Sequence, residues 1–134
     1  MKLLLDTHIA LWAVADTAKL PKEVFGLLEA ESNQVFYSVA SVWEVAIKSK
    51  IRPDNMPISE ETFVKLCEAA GFTCLPVKAE HVFWIKTLER PADAPKHNDP
   101  FDRMLLAQAK CENLMFITHD SLIPHYGEKC VLVV

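Results

Sequence analysis

Five carboxylates stand at positions where the course of the chain could gather them. Asp6 ends the apolar run Lys2–Leu5, and Glu44 closes Ser41-Val42-Trp43-Glu44. Asp99 and Asp102 bracket Pro100-Phe101, and Asp120 closes Leu114-Met115-Phe116-Ile117-Thr118-His119-Asp120. Brought together, five like charges repel strongly unless a cation neutralises them. Oxygen ligands with no close Cys or His pair favour Mg2+, with Mn2+ as a substitute, over zinc. Each acid also has a plain structural explanation. Glu44 is the fourth residue of a Ser-x-x-Glu capping box. Asp99 before Pro100 suits a helix N-cap with proline at the first helical position. Asp102 then falls near the third position, where a carboxylate favours the helix dipole. Asp6 and Asp120 could cap the turns that follow them. What speaks against five separate explanations is that strand-end placement on one rim recurs in four segments.

The elements that would position these acids alternate along the chain. Lys2–Leu5 reads as a buried strand and Ile9–Ala15 as a helix. Pro21 opens a second helix, with Val24, Leu27, Leu28 and Glu31 at helical spacing. Gln34–Val39, β-branched and aromatic, is a second strand. Ser41 caps a helix running to about Lys50, and Arg52–Pro57 is a proline-broken loop. Ser59–Ala70 is a capped helix that stops at Gly71. Phe72–Val77 is a third strand, Ala79–Leu88 a helix, and Arg90–Asn98 a polar loop. Asp99-Pro100 starts the clearest helix, to about Cys111, and Leu114–Thr118 and Cys130–Val134 are the last strands. Strands alternating with helices predict an α/β fold: a central, mostly parallel sheet of about five strands with helices on both faces. Residues 1–134 show no composition shift and no repeat, which predicts one domain. In open sheets of this kind ligands bind beyond the carboxyl ends of the strands, where the acids fall.

Composition bounds the rest. The chain has 134 residues, 51% hydrophobic and 24% charged, with three glycines. Its mean hydropathy is +0.12. Disorder, collagen-like repeats and low complexity are excluded. The formal charge of −4 argues against a broad basic face gripping nucleic acid by charge alone, so a polyanionic substrate would need a cation's help. Cys67, Cys74, Cys111 and Cys130 have no C-x-x-C pair, so zinc and redox sites are not expected; all four are expected to be buried thiols of a reduced, cytoplasmic protein. The N-terminal apolar run is broken by Asp6, too short for an export signal or a membrane span. Trp12, Trp43 and Trp84 occupy apolar helical positions and are expected in the core, or for Trp12 and Trp84 at a subunit interface. His8, His81, His97 and His125 lack ligand spacing and are assigned no catalytic role.

The chain resembles the PIN domain family, specifically the VapC-type toxin ribonucleases of bacterial toxin–antitoxin pairs. The residues that carry the resemblance are Leu3-Leu4-Leu5-Asp6-Thr7-His8, Ser38 through Lys48, His97-Asn98-Asp99-Pro100-Phe101-Asp102-Arg103 with the helix to Ala109, and Ile117-Thr118-His119-Asp120. They span nearly the whole chain. The resemblance implies a Mg2+-dependent endoribonuclease with catalytic, metal-binding acids at Asp6, Glu44, Asp102 and Asp120, and Asp99 as a further metal-site member by a subgroup pattern. It implies a metal-polarised phosphate, in-line attack by a bound water, and products with 5′-phosphate and 3′-hydroxyl ends. It also implies a homodimer and a VapB-type antitoxin partner. Thr118 and Arg103 are possible water or substrate contacts, and Lys48, Lys50, Arg52, Arg90 and Lys96 a possible phosphate path. His119 stands where relatives often carry arginine or asparagine.

Other readings fare less well. A phosphatase of the haloacid dehalogenase type needs a second Asp where His8 stands. A receiver domain needs adjacent acids and a phosphoacceptor Asp after a central strand. A flap-type nuclease needs more chain than 134 residues provide. The remaining alternative is a catalytically inactive PIN-like module that binds RNA or protein, and such modules usually lack one or more of the acids.

Overall fold

The computed structural model describes all 134 residues. Five strands, β1 (Lys2–Leu5), β2 (Gln34–Ser38), β3 (Thr73–Leu75), β4 (Met115–Thr118) and β5 (Val131–Val133), form one sheet in the order β3-β2-β1-β4-β5. Every pairing is parallel. The sheet is thus parallel throughout, where the sequence suggests only mostly so. Six α-helices supply the crossovers up to β4: α1 (Thr7–Ala15), α2 (Lys22–Glu29), α3 (Val39–Ile51), α4 (Glu60–Ala69), α5 (Ala79–Ile85) and α6 (Pro100–Glu112); a 3-10 turn, Ile123–Tyr126, lies in the crossover to β5. None is long and apolar enough to cross a membrane.

The pleat of β1 divides the core. Leu3 and Leu5 point to one face and join Ile9, Val24, Val45, Phe63 and Cys67. Leu4 points to the other and joins Leu105, Leu106, Phe116 and Ile123. Both faces of a central strand are therefore apolar, which is why Leu3-Leu4-Leu5 is a continuous run rather than an alternation. The chain builds outward from β1 to β2 and β3, then returns through α5 and α6 to add β4 on the opposite side. The order of travel thus reverses between β1 and β4, and beyond their carboxyl ends the loops part to leave a crevice.

Several boundaries differ from expectation for local reasons. Helix α3 is capped three residues before Ser41, because Ser38 at the end of β2 takes the cap: its hydroxyl accepts the Ala40 amide at 3.0 Å. Ser41 therefore lies inside the first turn, where its hydroxyl meets that of Thr7 at 2.8 Å, and Glu44 belongs to no capping box. Pro21 is the N-cap of α2 rather than its first residue. Helix α5 ends at Ile85 rather than Leu88, since the Thr87 hydroxyl donates to the Trp84 carbonyl and breaks the pattern. Strand β3 is only Thr73–Leu75, with Pro76 following. Of the four cysteines expected to be buried, only Cys67 is; Cys111 and Cys130 are partly exposed and Cys74 is exposed, on an edge strand. All four are free thiols. Trp43 is not a core residue: it is 63% exposed and packs edge-on against Phe101, ring centroids 5.0 Å apart.

Candidate active site

Asp6, Asp99, Asp102 and Asp120 line one cavity of about 300 Å3 beyond the carboxyl ends of β1 and β4, with His8, Trp12 and His119 completing its wall. Four of the five candidate acids thus meet at the crevice. The fifth, Glu44, approaches from α3, close enough for its negative charge to act on both Asp6 and Asp102.

Each acid is held by the element that delivers it. Asp6 leaves β1 as the N-cap of α1; its Oδ1 accepts the Thr7 amide at 2.6 Å and its Oδ2 accepts the Thr118 hydroxyl at 2.6 Å. Thr118, expected to meet water or substrate, is wholly buried, with its hydroxyl proton donated to Asp6 and its oxygen accepting the Asp120 amide at 3.1 Å. One threonine at the end of β4 therefore positions two acids. Asp120 folds over its own turn, Oδ1 accepting the Leu122 amide at 2.8 Å. Asp99 caps α6 as its sequence context suggests, Oδ1 accepting the amides of Phe101 at 2.9 Å and Asp102 at 3.2 Å. Asp99 Oδ2 is left uncommitted on the cavity side. Asp102, three residues on, is buried in the first turn of α6.

Glu44 is buried in the second turn of α3 and pairs with Lys48 one turn later, Nζ to Oε2 2.5 Å. Burial opposes the Lys48 charge, but the hydrogen bond and charge of Glu44 outweigh it and its pKa is raised. Lys48 is thus tied to the acid cluster through Glu44 while staying partly exposed. Glu44 Oε1 is buried without any hydrogen-bond partner. A buried acceptor left unmade is costly and rare enough to need a reason.

The electrostatics follow from the crowding. Burial, then the charges of Asp6, Asp99, Glu44 and Asp120, push the Asp102 carboxyl up to about 9. Burial also raises Asp6, against the lowering effect of its Thr118 bond and of His8. The polypeptide supplies one ion-paired lysine, Lys48, against five acids. Extra positive charge is what this cluster lacks.

His97, to which no role is assigned from sequence, lies inside this group. It is buried, with Nδ1 2.7 Å from the Tyr126 hydroxyl and Nε2 3.3 Å from Asp102 Oδ2 and 3.8 Å from Asp120 Oδ2. Burial lowers its pKa, partly countered by Asp120 and Asp99. If Tyr126 donates to Nδ1, the Nε2 proton faces the carboxylates; if Nδ1 donates, an Nε2 lone pair faces them. Either way a ring nitrogen joins the oxygens around Asp102 and Asp120. No sequence motif marks it: His97 sits two residues before the Asp99 cap, and only the fold-back of the chain over the first helical turn brings it to Asp102. Arg103 points away from the acids, as its neighbouring position on α6 requires, and lines a separate pocket with Arg90 and Lys96. Lys50 and Arg52 are exposed, and Arg52 and Lys48 line a different hollow with His8.

Among His81, Cys111 and Glu112, which also cluster, a metal does not fit. His81 Nδ1 accepts the Lys78 amide at 3.0 Å, so a neutral ring carries its proton on Nε2, 3.0 Å from Glu112 Oε1. That histidine caps α5.

The family model described as PIN domain matches residues 3–129. The fold is similar to the structure of VapBC2 from Rickettsia felis bound to a DNA fragment from its promoter, at 15% identity and a TM-score of 0.68, covering 100% of this chain and 98% of that one. It is also similar to a toxin–antitoxin complex from Klebsiella pneumoniae, at 21% identity and a TM-score of 0.62, covering 98% of this chain and 96% of that one. No curated protein matches the sequence.

Proposed function

The chain belongs to the PIN domain family, and from that membership we propose that it is a divalent-metal-dependent endoribonuclease, the toxin member of a VapC-type toxin–antitoxin pair, with residues 1–134 working as one domain. The observation that carries this reading is the convergence of five carboxylates in which Asp102 is driven up to about 9 while Glu44 Oε1 stays buried without a partner. That donor set fits a hard divalent cation: hard oxygens, uncompensated negative charge and an orphaned buried acceptor. Asp6, Glu44, Asp102 and Asp120 would hold the ion, with Asp99 Oδ2 at the rim. Mg2+, or Mn2+ in its place, would supply there a polarised phosphate and a water of lowered pKa.

The protein's own part is orientation. Thr118 and the Thr7 amide fix both oxygens of Asp6, so this carboxylate presents one geometry. His97, braced by Tyr126, stands between Asp102 and Asp120 and sets their mutual position. Lys48 offsets one charge behind the site, leaving the front acidic. Trp12 lies edge-on to His119, centroids 5.7 Å apart, and forms the apolar side of the cavity against which a nucleotide can rest. The substrate is RNA, cut to 5′-phosphate and 3′-hydroxyl ends. The likeness to one VapBC complex and one other toxin–antitoxin complex supports a VapB-type antitoxin as partner; a homodimer as the working form rests on the family resemblance of the sequence alone.

The test is cleavage of single-stranded RNA by purified, partner-free protein. Mg2+ or Mn2+ should support it, EDTA should stop it, and Asp6→Asn should remove most of the rate, since the amide keeps the shape and deletes the ligand charge. Undiminished cleavage in EDTA or by Asp6→Asn overturns the reading, and RNA binding without any cleavage favours the inactive binding module.

A further inference from the structure

Beside the acid cavity lies a second one of opposite sign. It holds about 440 Å3 and is lined by Arg90, Lys96, Asn98 and Arg103, with His97 and Tyr126 at its inner end and no carboxylate in its wall. In a chain of formal charge −4 with three arginines, two of the three face this one hollow. Both are half-buried, and neither has a carboxylate within ion-pair distance. A partly desolvated guanidinium without an acid leaves strong donors unused.

The hollow is also built rather than loose. Arg90 is set over the Tyr126 ring, 5.6 Å from its centroid, and donates through Nη1 to the Pro95 carbonyl. Pro91 and Pro95 stiffen the loop that carries Arg90 and Lys96. Arg103 comes from the rigid first turn of α6, one residue from Asp102. His97 links the two: its Nε2 faces Asp102 and Asp120, which line the acid cavity, while the same residue lines the basic hollow.

We propose that the Arg90–Lys96–Arg103 pocket is an anion subsite that takes the backbone phosphate next to the one held over the acids, an inference that rests on the ribonuclease reading. Arginine suits this role because its planar fork meets phosphate through two bonds at once. An acidic enzyme then grips its polyanionic substrate at two points: through a cation at the scissile phosphate and through its own cations one step along. The pocket also gives the strand a direction across the site, since a basic hollow lies on the His97 side of the acids and the Trp12 wall elsewhere.

The experiment measures binding apart from cleavage. A fluorescein-labelled single-stranded RNA decamer is titrated with protein in Mg2+, in the Asp6→Asn background, across a salt series. Arg103→Gln, which removes the charge on a helix surface while keeping a polar side chain, is compared with Arg90→Gln/Arg103→Gln, so that any loosening of the Arg90 loop does not decide the result. Affinity should fall on the order of tenfold in the double variant, and the slope of log K against log salt should shrink by roughly 0.7 for each phosphate the protein no longer neutralises. With Asp6 restored, the KM for RNA should rise far more than that for bis(p-nitrophenyl) phosphate, which has a single phosphate. Unchanged affinity and slope overturn the subsite and leave the ribonuclease reading standing. Equal losses on both substrates also overturn it, because the arginines then act on the acid site itself. If unmodified protein binds RNA without cutting it while the double variant loses that binding, the subsite stands and the ribonuclease reading fails.

Discussion

Asp99 Oδ1 accepts two amides at the start of α6, whereas Asp102 makes no capping bond and its carboxyl is pushed up to about 9. Substitutions at these two positions should therefore fail differently. Asp99→Asn keeps the acceptor and should hold stability within a few tenths of a kcal/mol with a modest fall in activity, while Asp99→Ala should cost about 1 kcal/mol. Asp102→Asn should leave the fold intact and abolish Mg2+-dependent cleavage, because a neutral amide is a far weaker ligand for a hard cation. Denaturation midpoints paired with RNA cleavage rates decide between these roles; Asp99→Asn as inactive as Asp102→Asn at an unchanged midpoint makes Asp99 a working ligand. The positions of these acids were legible because strand ends and helix caps are local sequence features. His97 was not, since its role depends on a loop folding back onto α6 and on Tyr126, 29 residues later. Thr118 was legible as a strand end but not as the brace of Asp6, a partner 112 residues away in sequence.

At the scale of the element, α3 shows how a local pattern yields to its surroundings. Ser41-Val42-Trp43-Glu44 satisfies the capping-box rule, yet Ser38 captures the N-cap because β2 delivers its hydroxyl to Gln108 Oε1, 2.5 Å away on α6. Gln108 extends the chain of bonds, donating through Nε2 to the Pro76 carbonyl at 3.2 Å. That buried network ties β2, α6 and the end of β3 beneath the site, and Glu44 lies on the side of the helix that faces the other acids rather than at a solvent-side cap. Ser38→Ala removes both a cap and the partner of a buried amide oxygen, so it should cost roughly 1–3 kcal/mol. Ser41→Ala, at the position the pattern favoured, removes only the hydrogen bond to Thr7 and should cost less. Urea midpoints of the two variants test this ranking; an equal or larger loss for Ser41→Ala means the hydroxyl pair with Thr7 matters more than the cap. The exposure of Trp43 has the same origin: starting α3 at Val39 turns that face outward, toward Phe101 and solvent.

For the whole molecule, the parallel sheet and its order place acids from four connections around one point, and the fold bears the electrostatic cost of doing so. The Asp102 carboxyl sits at about 9 in the folded chain against 3.8 as its ordinary value. A pKa raised by folding means the folded state holds its proton more tightly. The penalty is absent below about pH 4, grows as pH rises, and is complete above about pH 9. His97 runs the other way, its lowered pKa costing stability only on acidification below its ordinary value of 6.5. Between about pH 7 and pH 9 the carboxylates therefore dominate, and metal-free protein should lose stability with rising pH at up to about 1.4 kcal/mol per unit for one proton. A divalent cation substitutes for that proton. Saturating Mg2+ should flatten the dependence and raise the melting temperature, by an amount equivalent to about 2.7 kcal/mol at a hundredfold excess over Kd. Asp102→Asn should flatten it without metal, leaving the part due to Cys67, whose thiol burial pushes up to about 12 so that it ionises first in the unfolded chain. Thermal melts at pH 7, 8 and 9, in EDTA and in Mg2+, give the measurement. A metal-free midpoint that does not move with pH, or that moves equally in Mg2+, would mean the carboxylates are not sharing a cation and that the crowding is relieved within the protein itself.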